Sequence, residues 1–456
     1  MKLDMIIELT QLTHKLTAQN KWETAFDLLK TLHFPDIANV LEQFPEEVAY
    51  KLLTLFEQKK RSHIFAYMHP DAASAIFHLM NRSEAVALFE GMDHDVRADF
   101  YNRLSEQERQ DLLVGLTHEE REDIRKLASY AEKTVGAIMT SAYIALEDNL
   151  TVEQTLERIR ADAADAEIIY QIYIIDQQGR LGGTLSLRQL LTAESSSLLR
   201  DIMVTDVVSV NIEEDQSKAA KLIARYDFLA LPVLDHEQRL LGIVTHDDAL
   251  DVSQEVNTEY QMRMGSVSTN YAKTTSLKGA SIWLLYRMRV FWLVILVLGN
   301  VFSGAGIAYF EDLIESMVSL VFFLPLLIDS GGNAGSQSST LMVRALATGD
   351  VRARDWMLML GKELVVSLLL SLSMALAVSL IGFYRGGAEI ALVVSLTMVV
   401  IVMVGSIIGM LLPFVLTRFK LDPASASAPL ITSICDGVGV LIYFNIANIL
   451  LDMPGV

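Results

Sequence analysis

The chain has 456 residues, a formal net charge of −19 and 52% hydrophobic residues, with Cys435 its single cysteine. Acidity on this scale argues against nucleic acid and anionic headgroups as partners and favours cations, although a solvated surface accounts for any individual carboxylate. One cysteine excludes both a disulfide framework and a zinc site built on paired cysteines within the chain.

Residues 1–133 are expected to form an all-helical, repetitive N-terminal domain. The first residues, Met1-Lys2-Leu3-Asp4, open a charged amphipathic helix and do not read as a cleavable signal. Phe34-Pro35-Asp36, Phe44-Pro45-Glu46-Glu47 and His69-Pro70-Asp71 each place proline at a first helical position with acids in the first turn. Val48, Leu52, Leu53 and Phe56 then follow at helical spacing, and Ser105 and Thr117 suit the N-caps of later helices. Short helices recurring in this way predict a small superhelix in which each unit buries its face on the next.

Residues 134–252 carry a second repeat. Ile138-Met139-Thr140 returns as Ile202-Met203-Val204, and residues 176–186 return as 235–245. Each copy, 134–197 and 198–252, offers a helix, two β-rich runs around a turn, and another helix. This α/β pattern resembles a tandem pair of CBS modules, a Bateman domain. The resemblance implies a site for ATP or another adenine nucleotide where Ser/Thr-x-x-Asp follows the last strand. Thr245-His246-Asp247-Asp248 keeps that pattern, which makes Thr245 and Asp248 the candidate nucleotide-binding pair. The first copy reads Ser186-Leu187-Arg188-Gln189, with glutamine where the acid is expected.

A connecting helix and linker, 253–280, follow the second module. Asp248, Asp251, Glu255 and Glu259 recur at i, i+3/i+4 and share one helix face, with Asp247 beside them. Like charges at that spacing repel unless cations or a partner surface neutralise them, and hard oxygen ligands suit Mg2+ or Ca2+. A solvated acidic face is the alternative. Asp93 and Asp95 of the N-terminal domain are the acids chosen to meet this face. Residues 282–287 then form an amphipathic stretch suited to a membrane interface.

Residues 281–456 read as a polytopic helical membrane domain. Five apolar segments, near 290–310, 317–345, 364–384, 390–416 and 424–451, each exceed the roughly 20 residues a bilayer core needs. Lys278, Arg287 and Arg289 precede the first. Arg344, Arg352, Arg354 and Lys362 separate the second from the third, and Arg418 and Lys420 the fourth from the fifth. The positive-inside rule then puts the N-terminus in the cytoplasm and the C-terminus outside.

The second segment is unlike an ordinary span. Gly331-Gly332-Asn333-Ala334-Gly335-Ser336-Gln337-Ser338-Ser339-Thr340 packs three glycines and six amide or hydroxyl side chains into an apolar run. Unsatisfied polar groups in hydrocarbon cost several kcal/mol each, so the segment must line a wet path or pack closely on protein. Asp329 adds an acid one turn earlier, as a pore ligand or as the partner of a polar group on a neighbouring helix. Asp436 falls near mid-bilayer in the fifth segment, where a charge is expensive without a cation or water.

Taken together, these features resemble the MgtE family of magnesium channels over essentially the whole chain. The specific motifs are residues 325–340, Arg344-Ala345-Leu346-Ala347-Thr348, and residues 422–436. The resemblance implies a homodimer in the plasma membrane with its pore between the two membrane domains. It further implies that Asp436 holds hydrated Mg2+, that Gly331, Gly332 and Asn333 help line the path, and that the cytoplasmic domains close the pore at high intracellular Mg2+. Ala428 stands where some relatives carry asparagine, so one side-chain contact is missing. Two other functions compete: a secondary divalent-cation transporter using a carboxylate as proton relay, and a membrane-anchored nucleotide-sensing regulator that moves nothing. No Ser/His/Asp arrangement, phosphate-cradling loop or metal-hydrolase spacing points to an enzyme.

Overall fold

The computed structural model describes residues 3–163, 166–268 and 280–451. Lys278 and residues 269–279 of the linker lie outside them. The chain divides into two compact units between Val256 and Asn257.

The first unit opens with helices α1 (Leu3–Ala18), α2 (Trp22–Leu29), α3 (Phe34–Leu41), α4 (Glu46–Leu53), α5 (Gln58–Ala66), α6 (Pro70–Phe77), α7 (Arg82–Glu90), α8 (His94–Arg103), α9 (Glu106–Leu113) and α10 (His118–Ala128). Helix α3 packs on α5, α5 on α7 and α7 on α9, while α4 packs on α6 and α8 on α10. Contact between every second helix is the signature of a superhelix, as the recurring start signals predict. Leu52, Leu53 and Phe56 are buried in its core. Phe65, Phe77, Phe89 and Phe100 meet there edge to face or tilted, with centroids 5.2–6.0 Å apart. Ser105 and Thr117 close capping boxes with Glu108 and Glu120. Pro35 and Pro70 sit in first turns, but Pro45 is the N-cap of α4, one position earlier than expected.

Two three-stranded sheets follow. Strands β1 (Ala145–Glu147), β2 (Gln171–Ile175) and β3 (Leu181–Ser186) lie in that order, and so do β4 (Val210–Asn211), β5 (Ala230–Leu234) and β6 (Leu240–Thr245). In both the first pair is parallel and the second antiparallel, with an irregularity at the same place, between Ile174 and Ile175 and between Val233 and Leu234. Helix α11 (Val152–Asp162) precedes β2, α12 (Leu187–Thr192) and α13 (Leu199–Ile202) follow β3, and α14 (Gln216–Tyr226) precedes β5. Each repeat borrows a segment from the other. A Cβ on Gly242 would lie 2.8 Å from Met139 Sδ, and one on Gly183 would lie 2.7 Å from Met203 Sδ. The recurring Ile-Met-x element therefore seats each methionine on a glycine of the opposite sheet. After β6 comes α15 (His246–Met264), whose last two turns belong to the second unit.

The second unit is helical: α16 (Ile282–Tyr309), α17 (Glu311–Ser316), α18 (Ser319–Thr348), α19 (Trp356–Arg418) and α20 (Ala428–Leu450). Among the described residues, three helices are long and apolar enough to cross a membrane, within Ile282–Tyr309, Ala353–Arg418 and Ala428–Leu450. Helix α19 is broken at Gly387, whose φ of 80° and ψ of −168° are not helical. There the chain reverses. Gly382 packs against Ala391, and Ser395 Oγ donates to the Ala375 carbonyl at 3.5 Å, so the arms before and after Gly387 run antiparallel. Helix α18 has 30 residues, and its polar segment dilutes its hydropathy.

Candidate functional site

Helix α18 has two opposed faces. Gly331 and Gly335 form one G-x-x-x-G pair and Gly405 and Gly409 on the second arm of α19 another, and the two interlock. A Cβ on Gly405 would stand 2.3 Å from the Gly331 carbonyl oxygen, and one on Gly409 would stand 2.0 Å from that of Gly335. Gly332 meets Thr432 of α20 in the same way. Gly331 and Gly332, expected to line a path, are thus buried packing residues. The other face is polar and exposed: Asp329, Asn333, Gln337 and Thr340 follow one another at helical spacing. Asn333 Nδ2 donates to Asp329 Oδ2 at 2.8 Å, so the partner of Asp329 lies on its own helix.

Helices α18 and α20 run antiparallel, because Gly332 meets Thr432 while Gly439 meets Ile328. That register sets Asp436 level with the turn from Asp329 to Gly332, and the Asp329 and Asp436 carboxylates lie within electrostatic range. Thr432 spends its hydroxyl on the Ala428 and Pro429 carbonyls of its own helix. The site therefore consists of two interacting carboxylates and an exposed amide-and-hydroxyl stripe, with no cation paired to Asp329 or Asp436 among the described residues.

A second constellation lies in the first unit. Asp95, Glu167 and Asp248 act on one another electrostatically. Burial, the neighbouring Asp248 and Glu167 charges and Asp93 hold the Asp95 carboxyl well above the usual range. Burial first, then Asp248, Asp93 and Asp247, push Glu167 up to about 7 against a hydrogen bond from Thr140. Burial also pushes Asp248 up to about 6, opposed by a hydrogen bond from Thr245, with Asp247 and Asp251 adding to the rise. Asp251 is raised by burial and by Asp247. Asp95 Oδ1 and Glu167 Oε2 are withdrawn from solvent and accept no hydrogen bond. The buried Arg97 serves Glu120, Asp123, Asp93 and Glu90 instead.

The four-carboxylate face expected on α15 is divided. Asp248 and Asp251 join this cluster, Glu255 accepts from Gln216 Nε2 at 3.2 Å, and Glu259 pairs with Arg263 at 3.4 Å. Among the described residues no three His, Cys, Asp or Glu side chains converge closely enough to hold a metal ion directly. Glu167 was not foreseen; it stands just ahead of β2 in an alanine- and aspartate-rich stretch without a motif. Nor was the linkage of His94 Nδ1 to Asp123 Oδ2 (2.6 Å) and Ser141 Oγ (2.8 Å), which ties α8 and α10 to the segment leading into β1.

The Ser/Thr-x-x-Asp pattern has a local structural use. Thr245 Oγ1 donates to Asp248 Oδ2 at 2.5 Å as α15 begins, and Ser186 Oγ donates to Gln189 Oε1 at 2.8 Å as α12 begins. The first copy closes a capping box on α12 in this way, and the second places the same hydroxyl-to-side-chain bond at the start of α15.

Comparison with known proteins accords with this architecture. Residues 324–446 match the MgtE divalent cation transporter family, residues 32–133 the MgtE intracellular N domain, and residues 199–255 the CBS domain. The chain is 40% identical to the magnesium transporter MgtE of Thermus thermophilus over 72% of each protein. It is 32% identical to that of Enterococcus faecalis over 72% of this chain and 71% of the relative. The crystal structure of the soluble part of a magnesium transporter superposes with a TM-score of 0.50 at 30% identity, covering 55% of this chain and 99% of that one. The cytosolic domain of the Mg2+ channel MgtE in complex with ATP superposes with a TM-score of 0.51 at 32% identity, covering 53% and 99%. With a helical N-terminal domain, CBS modules and a helical membrane-type region in matching order, the chain belongs to the MgtE family of magnesium transporters.

Proposed function

We propose that this protein is a Mg2+-selective channel of the plasma membrane whose cytoplasmic region closes it when intracellular Mg2+ rises. The observation that carries the pore is the exposed stripe Asp329, Asn333, Gln337 and Thr340 beside Asp436. Such a face is costly against lipid, and a second copy of the chain covers it. A homodimer with the path between its membrane domains follows. Mg2+ surrenders water reluctantly, so amides, hydroxyls and sparse carboxylates suit the hydrated ion better than a bare one.

Five passes are supported by helix directions. Helices α16 and α20 run parallel, from the contacts of Gly306 with Val440 and Ser303 with Gly437. Helix α18 opposes α20 and parallels the second arm of α19, and the arms oppose each other. That alternation fits spans from α16, α18, both arms of α19 and α20, with the N-terminus cytoplasmic and the C-terminus outside. The domain limits follow as 1–133, 134–252, 253–280 and 281–456.

Regulation belongs to the acidic cluster. Two unit charges about 4 Å apart repel by about 4 kcal/mol at an effective dielectric near 20. Asp93, Asp95, Glu167, Asp247, Asp248 and Asp251 act on one another, Arg97 acts on Asp93, and two of the oxygens, Asp95 Oδ1 and Glu167 Oε2, lack any hydrogen bond. These oxygens fit hydrated Mg2+ held through its water shell, and their spread matches that better than direct chelation. Mg2+ that binds this arrangement better than a separated one shifts the equilibrium by that difference in affinity. ATP, present in the cytosolic domain of the relative, is assigned to Thr245 and Asp248 of the second module.

The two interacting acids, Asp329 and Asp436, also suit a carrier that exchanges protons for a divalent cation. Flux in proteoliposomes with and without proton or sodium gradients distinguishes the two. A channel follows the Mg2+ gradient and voltage alone.

A further inference from the structure

Helices α16 and α20 touch through small residues and leave a long groove beside that contact. A Cβ on Gly306 would lie 3.1 Å from Val440 Cγ1, and one on Gly437 would lie 3.6 Å from Ser303 Oγ. Next to this seam, Ile295, Gly299 and Phe302 of α16 and Leu430, Ile434 and Gly437 of α20 line a cavity of about 600 Å³. Ser433 and Tyr309 bring the only polar side-chain atoms to its lining. The lining runs from Ile295 to Tyr309, about 21 Å along α16 at the helical rise of about 1.5 Å per residue. Averaged over that length the cross-section is about 30 Å², whereas a helix about 10–12 Å across needs about 80 Å² or more. One extended hydrocarbon chain fits such a channel, and a second helix does not. Phe302 and Tyr309 are 79% and 81% exposed, so none of the described residues covers the groove. Its length exceeds one leaflet, about half of a hydrocarbon core of roughly 30 Å.

Charge gathers at one mouth of the groove. Arg289, Trp292, Leu296 and Gly299 follow at i+3 and i+4 and share the face of α16 that forms it. Arg289 comes about 9 Å before Ile295 along the helix. It follows Trp283 and Tyr286, whose rings stack at 5.4 Å and suit an interfacial aromatic belt. Parallel packing of α16 and α20 puts the α19–α20 connection at the same end, with Arg418 and Lys420 beside it. The acid of that connection, Asp422, is taken by Arg263. Acidity over the whole chain argues against anionic headgroups, but most of the excess precedes Val290, and this end of the bundle is basic among the described residues.

We propose that this groove is a lipid site, holding one acyl chain of an anionic phospholipid of the cytoplasmic leaflet whose phosphate pairs with Arg289. Any fluid lipid wets an apolar groove, so the guanidinium is what makes the site selective. It offers a planar fork to phosphate oxygens at headgroup level. The acyl chain supplies the wall that Gly299 and Gly437 lack, and Gly437 directly follows Asp436. The choice of leaflet rests on the reading that α16 and α20 cross the bilayer with their starts at the cytoplasmic face.

The test uses the full-length protein in detergent, supplied with phosphatidylglycerol or with phosphatidylcholine of the same acyl chains. Native mass spectrometry should find phosphatidylglycerol retained about fivefold more strongly, the factor that one basic residue supplies near a membrane surface. Arg289→Gln should lose that preference, and Gly299→Trp should lose the bound lipid. Gly304→Trp, on another face of α16 with nothing within 4 Å of its Cβ position, should keep both. A diazirine carried mid-chain on phosphatidylglycerol should label α16 and α20 around Gly299 and Gly437. Equal retention of the two lipids, a preference that survives Arg289→Gln, or labelling elsewhere would overturn the site. In a Cys435→Ala background, a Gly299→Cys protein that oxidises to a disulfide between two copies would give the groove to a partner helix and overturn it as well. In the same background, labelling of Arg289→Cys by an impermeant thiol reagent from outside sealed cells would overturn the orientation and with it the leaflet. Retention and photolabelling decide the groove itself.

Discussion

Asn333 Nδ2 donates to Asp329 Oδ2 at 2.8 Å across one turn of α18, and the two side chains share the face opposite the buried Gly331 and Gly335. The amide fixes the carboxylate toward the exposed stripe and leaves its other oxygen free to meet a water of hydration. Asn333→Ala is expected to lower Mg2+ flux about tenfold, matching the loss of a charge-assisted hydrogen bond worth about 1.5 kcal/mol. Flux into Mg2+-free liposomes measures it, and wild-type flux would remove the pair from the path.

Asp436→Ala is expected to reduce Mg2+ flux to background while the native oligomer persists. Asp436 lies level with Asp329 and is the carboxylate that α20 contributes to this part of the site. Size-exclusion mass together with flux checks both halves. If transport survives, Asp329 becomes the principal pore acid.

The interlocked glycines give a structural prediction. Gly409→Ala would drive a Cβ toward the Gly335 carbonyl oxygen, and relief requires α18 and α19 to separate. The expected loss of stability is about 1–3 kcal/mol or more, read as a lower unfolding temperature of the purified protein in detergent. Gly299→Ala, with nothing within 4 Å, serves as the neutral control.

The N-terminal superhelix and the doubled sheet were legible because both write themselves as repeats. The short strands β1 and β4 were not, since three and two residues carry no period. The 3.6-residue period already puts Gly331 and Gly335 opposite Asp329 and Asn333, yet composition drew all of them into one pore. The four acids of α15 share a face by spacing, but tertiary partners divide them: Gln216 takes Glu255 and Arg263 takes Glu259. Glu167 enters the acidic cluster only through folding, and nothing in its neighbourhood announces that.

The cluster makes the first unit sensitive to pH in a stated direction. Glu167 near 7 and Asp248 near 6 lie above their ordinary values of 4.5 and 3.8. The packed arrangement therefore binds protons that the unfolded chain does not. Without divalent cations, its stability is lost as pH rises through the 6–7 window and gained as pH falls through it. Protease resistance of this region in the full-length protein should increase from about pH 8 to about pH 6, and Glu167→Gln should flatten the change. A profile unaltered by that substitution would count against the cluster.

The central claim is that cytoplasmic Mg2+ closes a Mg2+ path by neutralising these acids. Its most direct test is current through the reconstituted full-length protein against cytoplasmic-side Mg2+, for the wild type and for Asp248→Asn with Asp251→Asn. The account predicts a current that follows the Mg2+ gradient and voltage without a proton or sodium gradient. It should fall as cytoplasmic Mg2+ rises in the wild type and need more Mg2+ to fall in the variant. A current that requires a proton or sodium gradient, or identical closing curves for the two proteins, would contradict it.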